Sequence, residues 1–216
     1  SVYDPAPARL AELNQKLGIK PAASLEEAVQ GKDMVILAVK PQVLPQILAD
    51  VANGTTSETI IVSIAAGINL PVLEKGMPER RVIRVMPNTP LMIGEGMSGI
   101  CQGTLASQAD VEAVQAIFSA SGKTLIIKEA QMDALSGISG CGPAFVYLFI
   151  EALMDAGVLS GLPRKDALLL AAQTVQGAAR MVLETGNEPA ALKGQVTSPG
   201  GTTIAGIHVL ENRGMR

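Results

Sequence analysis

The sequence has no tryptophan, two tyrosines, three phenylalanines, one histidine and two cysteines in 216 residues. With aromatic residues at 2% it offers no platform on which nucleic-acid bases could stack. A single histidine and two distant cysteines, Cys101 and Cys141, supply neither a metal-ligand cluster nor a nucleophile with its base, so no metal is expected. Nor do two cysteines make a disulfide framework. An excess of positive charge is missing too. The 17 basic and 20 acidic residues leave a net charge of −3 without a basic stripe, which argues against nucleic acid as the main partner. No apolar run reaches the ~18 uninterrupted residues that suggest a membrane span. The nearest, 144–159, is broken by Glu151 and Asp155, and no membrane is expected. No secretory-signal pattern is seen, so the expected location is cytoplasmic.

What is present is an apolar, patterned chain. Hydrophobic residues make up 48%, and a chain of this size buries roughly 70% of its unfolded surface, enough for one large or two small domains. Up to Lys128 two periods alternate. Leu10, Leu13 and Leu17 recur at helical spacing before Gly18, and Ser24-Leu25-Glu26-Glu27 has the form of a capping box. The run 34–39 is continuously apolar, the pattern of a strand covered on both faces. Further strands are expected at 60–64, 82–86 and 124–127, with helices at 45–51, 70–75 and 107–120. Such alternation specifies a mostly parallel sheet with helices on both faces. After Lys128 only helical patterns remain. Residues 145–159 are apolar nearly all round, and 163–185 is alanine-rich with Pro163 at its start. Neither segment has a continuous polar face, which favours burial against a second subunit. The expected organisation is an α/β domain at 1–128 and an all-α domain at 129–216.

Ligands of open parallel sheets bind beyond the carboxyl ends of the strands. Three expected strand ends carry unusual residues: Ala38-Val39-Lys40-Pro41, Ala65-Ala66-Gly67, and Met86-Pro87-Asn88-Thr89-Pro90. Small residues leave room for a flat ring or a sugar, Lys40 offers a cation, and Asn88 offers both a donor and an acceptor. Singly each reads as a structural turn; together at one sheet edge they point to a ligand groove. Near the chain's end, Val196-Thr197-Ser198-Pro199-Gly200-Gly201-Thr202-Thr203-Ile204-Ala205-Gly206 places two glycines and three hydroxyls on a turn that opens a helix. The first N–H groups of such a helix are unpaired and attract anions. This is a carboxylate cradle with a weak acid beside it.

These segments, with Ser139-Gly140-Cys141-Gly142-Pro143-Ala144-Phe145, resemble in order the signatures of the pyrroline-5-carboxylate reductases, the family that makes proline. The resemblance implies a Rossmann-like domain that binds NADPH or NADH, followed by an all-α dimerisation domain. It implies that Ala38, Val39, Lys40, Pro41, Ala65, Ala66 and Gly67 line the cofactor groove, with Asn88 near the nicotinamide. Ser198, Gly201, Thr202 and Thr203 would hold the small-molecule substrate, the pyrroline carboxylate and ring nitrogen, with Thr203 as the catalytic hydroxyl. The site would form where two subunits interlock in a homodimer, with assembly into a larger ring left open.

Three departures accompany the likeness. Ser1-Val2-Tyr3-Asp4 looks like the end of a second Rossmann strand, so the first strand and its glycine turn are missing, and family members continue past Arg216 with a further helix. Both suggest a chain truncated at its ends, which would bind cofactor weakly. Leu25 and Cys141 stand where many relatives carry asparagine and serine. His208 reads as a solvent-facing or packing residue. Two other classes stay open, a related hydroxy-acid dehydrogenase and a non-catalytic oligomeric scaffold. The absent polar faces yield a first prediction, since monomers seldom expose large apolar patches. Sedimentation at micromolar concentration should give a dimer or a larger oligomer, and a stable monomer would refute it.

Overall fold

A computed structural model describes residues 1–215. The chain divides into two compact units, 1–143 and 144–216. In the first, helix α1 (Pro7–Leu17) opens on a proline and closes on Gly18 in the left-handed conformation. Helix α2 (Leu25–Val29) is capped by the Ser24 hydroxyl, which accepts the Glu27 N–H. The Glu27 carboxylate accepts the N–H of Ala23 instead of Ser24, so the capping box is displaced by one residue. There follow β1 (Met34–Leu37), α3 (Leu44–Gly54), β2 (Ile60–Ser63), α4 (Leu70–Gly76) and β3 (Arg81–Met86). A 3-10 turn at Thr89–Ile93 leads to β4 (Gly96–Gln102), α5 (Gln108–Ser119) and β5 (Gly122–Ile126). Helix α6 (Met132–Leu135) runs into a single π turn, Ser136–Gly140, before α7 (Gly142–Leu159) begins.

The five strands lie in the order β1-β2-β3-β4-β5, parallel except for the antiparallel β3–β4 pair. Strand β4 is not among the expected four. Its glycines hide it from propensity, and each has a packing reason. A Cβ on Gly99 would sit 2.4 Å from Leu135 Cδ1, and one on Gly96 would meet the Ser121 carbonyl at 2.9 Å. The reversal of direction also has a cause, because a parallel crossover needs about a dozen or more residues and the link from Met86 to Gly96 is shorter.

Two apolar layers cover the sheet. On one face Val35, Leu37, Ile61 and Val82 pack with Leu44, Leu48 and Val51 of α3, Leu70 and Leu73 of α4, and Met132 of α6. On the other, Val62, Ile83, Val85 and Ile100 pack with Val111, Val114 and Phe118 of α5. Alternation along each strand sorts the residues to these faces. The expectation that the first strand is covered on both faces fails at Ile36, which is 44% exposed. Its parity points it to the side covered by α5, and α5 packs chiefly on β4 and β5, at the far end of the sheet from β1. The strand also ends at Leu37, two residues short of the apolar run, because the Lys40 carbonyl accepts the N–H groups of Val43 and Leu44 and turns the chain into α3.

One charge crosses this core. Arg84, 5% exposed in the middle of β3, bonds to the carboxylate of Glu129 on the segment that leads into α6. Arg84 Nε and Glu129 Oε2 have no hydrogen-bond partner.

The second unit comprises most of α7 with α8 (Arg164–Thr185), α9 (Pro189–Gln195) and α10 (Thr202–Asn212). Among its described residues only Ala167 and Ala171 are buried apolar side chains. Phe145, Leu148, Leu169 and Leu183 are each more than 60% exposed. One helical run, Glu129–Leu159, is long and apolar enough by length and composition to cross a membrane, although its apolar stretch is interrupted by Glu151 and Asp155.

The buried ion pair yields an asymmetric prediction. Removing one partner of such a pair costs about 3–5 kcal/mol when it strands the other charge. Glu129→Gln leaves Arg84 buried without its counter-charge and should cost at least ~3 kcal/mol. Arg84→Met leaves a carboxylate that is 29% exposed and should cost less. Urea unfolding of the two variants checks the order; equal or reversed losses would refute it.

Candidate functional site

In the first unit the register places three turns side by side. Leu37 pairs with Ser63 and Ser63 with Arg84, so the parallel strands β1, β2 and β3 end in the same direction and at one edge. Ala38, Val39, Lys40 and Pro41 follow β1 there. Ala38 and Lys40 are exposed, while Val39 leans on the core. Ala65, Ala66 and Gly67 follow β2. Ala65 is buried, Ala66 is exposed, and Gly67 has φ +75°, a left-handed backbone that favours glycine. The result is an edge of bare backbone and small side chains with one cation beside it, which suits the sugar and phosphate groups of a dinucleotide.

Asn88 follows β3 at the same edge, but its side chain is already engaged. Its Oδ1 accepts the Met97 N–H at 2.8 Å, and its Nδ2 donates to the Ser139 carbonyl at 3.1 Å. Asn88 and the Ser139–Phe145 motif, separate in the sequence, are joined by this amide, a connection without a local sequence signal.

In the second unit, the turn Ser198–Gly201 closes through a bond from the Gly201 N–H to the Ser198 carbonyl at 3.0 Å. Gly200 takes φ +69°, and Gly201 is the N-cap of α10 with no side chain bonded to the helix start. A Cβ on Gly201 would lie 2.4 Å from Ser198 Oγ. The N-terminal N–H groups at Thr202 and Thr203 receive no side-chain cap, and Gly201 makes room for the Ser198 hydroxyl beside them. Ser198, Thr202 and Thr203 are exposed. A depression of about 360 Å³ beside them is lined by Gly200, Gly201, Ile204, Ala205, Ile207, His208 and Glu211, without the three hydroxyl residues. His208 is exposed, and its Nε2 lies 3.0 Å from Asn212 Nδ2.

The structure thus gathers the expected cofactor residues in one unit and the expected substrate residues in the other. A mostly parallel sheet with ligand-ready turns at its carboxyl edge and an apolar helical unit without a core define a Rossmann-type oxidoreductase that pairs through its helices. Comparison with known proteins gives the family. A profile described as pyrroline-5-carboxylate reductase dimerisation matches residues 129–216, and one described as NADP oxidoreductase, coenzyme F420-dependent, matches residues 1–67. The chain is 49% identical to the pyrroline-5-carboxylate reductase of Methanosarcina acetivorans, over all of this chain and 79% of that protein. Among solved structures, the reductase of Coxiella burnetii matches with TM-score 0.92 and 33% identity, over 100% of this chain and 81% of that one. The Plasmodium falciparum enzyme, with NADP bound, matches at 0.87 and 36%, over 99% and 79%. The chain belongs to the pyrroline-5-carboxylate reductase family. It acts as a homo-oligomer.

The two cysteines differ sharply. Cys101 is buried opposite Arg84 in the β3–β4 ladder, whereas Cys141 is exposed. Burial first, then the negative charge of Glu129, pushes the Cys101 thiol up to about 11. The neutral form is the one favoured by folding. Its contribution to stability is therefore present below the ordinary thiol range and is lost as pH rises through about 11. Thiol titration of the native protein near pH 8 should find Cys141 and miss Cys101 until denaturant is added. Rapid native labelling of Cys101 would refute this.

Proposed function

We infer that the two residue sets serve one reaction, the reduction of 1-pyrroline-5-carboxylate to L-proline. The cofactor is NADPH or NADH, which supplies a hydride when bound. Ala38, Val39, Lys40, Pro41, Ala65, Ala66 and Gly67 line its groove, and Asn88 lies at the nicotinamide end. Ser198, Gly201, Thr202 and Thr203 hold the substrate. The observation that carries this half is the start of α10, which no side chain caps and which lies beside the Ser198 hydroxyl.

The chemistry asks little of the protein beyond positioning. The C=N carbon takes the hydride, its π pair moves to nitrogen, and that nitrogen carries the proton that makes the carbon electrophilic. The backbone N–H groups of Thr202 and Thr203 fix the carboxylate, that of Gly201 being held by the Ser198 carbonyl, and the Thr203 hydroxyl hydrogen-bonds the ring nitrogen. No histidine or carboxylate pair is needed for this step.

The functional division falls at Lys128, with 1–128 serving the cofactor and 129–216 serving pairing and substrate. The exposed apolar helices form a dimer, which can close into a larger ring. We assign the exposed apolar surface of α7, within the run Glu129–Leu159, to a partner subunit and not to lipid, because the dimerisation profile covers these residues. The protein works in the cytoplasm, without nucleic acid or membrane as partner. Thr203→Ala should lower kcat about 10–10²-fold, at the lower end for a group assisting proton placement. KM should change little, because the backbone cradle survives. Ser198→Ala should instead raise KM. An active enzyme whose kcat ignores Thr203→Ala would remove this threonine from the mechanism.

A further inference from the structure

Asn88 stands at the N-cap of the 3-10 turn Thr89–Ile93, a place where an asparagine side chain ordinarily accepts a backbone N–H of its own turn. Here it makes no such bond. It reaches instead to two other segments, the start of β4 through the Met97 N–H and the π turn through the Ser139 carbonyl. The second contact answers a specific shortage. In an α-helix the Ser139 carbonyl would accept the N–H of residue 143, and residue 143 is a proline without one. The Asn88 amide supplies a donor from 51 residues upstream.

Close packing surrounds the same point. Gly99 lets Leu135 lie against β4, and a Cβ on Gly140 would touch Met86 Cε at 3.4 Å. The π turn itself carries the bond from the Cys141 N–H to the Ser136 carbonyl at 2.9 Å, and single π turns are frequent at functional sites.

We propose that Asn88 is a positioning residue: its amide clasps the loop after β3 to the Ser136–Gly140 turn and holds both in the geometry that hydride transfer requires. It acts on the approach of the reacting atoms and not on cofactor affinity. This rests on the reading above that the loop borders the nicotinamide.

Asn88→Asp keeps an acceptor for Met97 and removes the donor to Ser139. In the ligand-free enzyme, hydrogen exchange at the Gly140 and Cys141 amides should quicken about tenfold or more as the turn opens. The kcat should fall about tenfold or more, while the Kd for NADPH, from fluorescence titration, stays within about threefold. Asn88→Ala removes both bonds without adding charge; it is read in parallel and carries the test should Asn88→Asp not fold. Adding Pro143→Ala to either variant supplies the missing N–H at the i+4 position and should restore part of the exchange protection and of kcat. Unchanged exchange, or no restoration by Pro143→Ala, would overturn the clasp. A Kd raised about tenfold with kcat intact in Asn88→Ala would make Asn88 a direct cofactor ligand instead. Exchange is read without substrate, so a wild-type enzyme inactive on pyrroline-5-carboxylate would sink the proposed function and leave the clasp separately measurable.

Discussion

A folded unit must offset roughly 1–2 kcal/mol of lost backbone freedom per residue, mainly by burying apolar surface. The helical unit that begins at Ala144 buries almost none by itself. Ala167 and Ala171 are its only buried apolar side chains among the described residues, and alanine is the smallest hydrophobic side chain available for that purpose. Helix propensity does not fill the gap, because in proteins most helical stability comes from packing an apolar face and not from propensity. The surface that could fill it is present and unpaired, with Phe145, Tyr147 and Leu148 on α7 and Leu168, Leu169 and Leu170 on α8. Assembly is the available source of that burial, and the stability of an oligomer depends on protomer concentration. The uncapped start of α10 belongs to this unit too.

The α/β unit meets the same requirement internally, and this difference explains how much of it was legible in the sequence. Where a strand is held by bulk apolar burial, as in Ile60–Ser63 and Arg81–Met86, the run of β-branched residues announces it. Where a strand is held because a helix must come close, the sequence shows glycine, and β4 with Gly96 and Gly99 passes unnoticed. Arg84 is an intermediate case. A charge inside Val-Ile-Arg-Val-Met signals that a partner must exist, but nothing local says that it is Glu129, 45 residues on.

The site divides along the same line. The three turns at the carboxyl edge were legible because parallel register makes strand ends coincide, and the Ser-Pro-Gly-Gly run was legible because helix starts have a local chemistry. The engagement of Asn88 was not, since its partners come from two segments that adjoin it only in the fold. One trace of it was in the sequence. The Gly142-Pro143 pair marks a helix start without a donor at position 143, and because the π turn leads into α7, the Ser139 carbonyl lacks the partner that a continuous helix would give it.

The chemistry and the assembly finally constrain each other. Hydride transfer to an imine needs a placed carbon and a partly shielded one, because water in the site weakens every fixed dipole that orients the substrate. In the single chain Lys40, Ser198, Thr202 and Thr203 are all exposed. A protein with one histidine, itself exposed beside Asn212, has little acid–base power to offset a wet or loosely held substrate. It must rely on geometry and exclusion of solvent. The exposed apolar helices are an available source of cover, so a variant that weakens pairing should lose turnover before it loses the α/β fold.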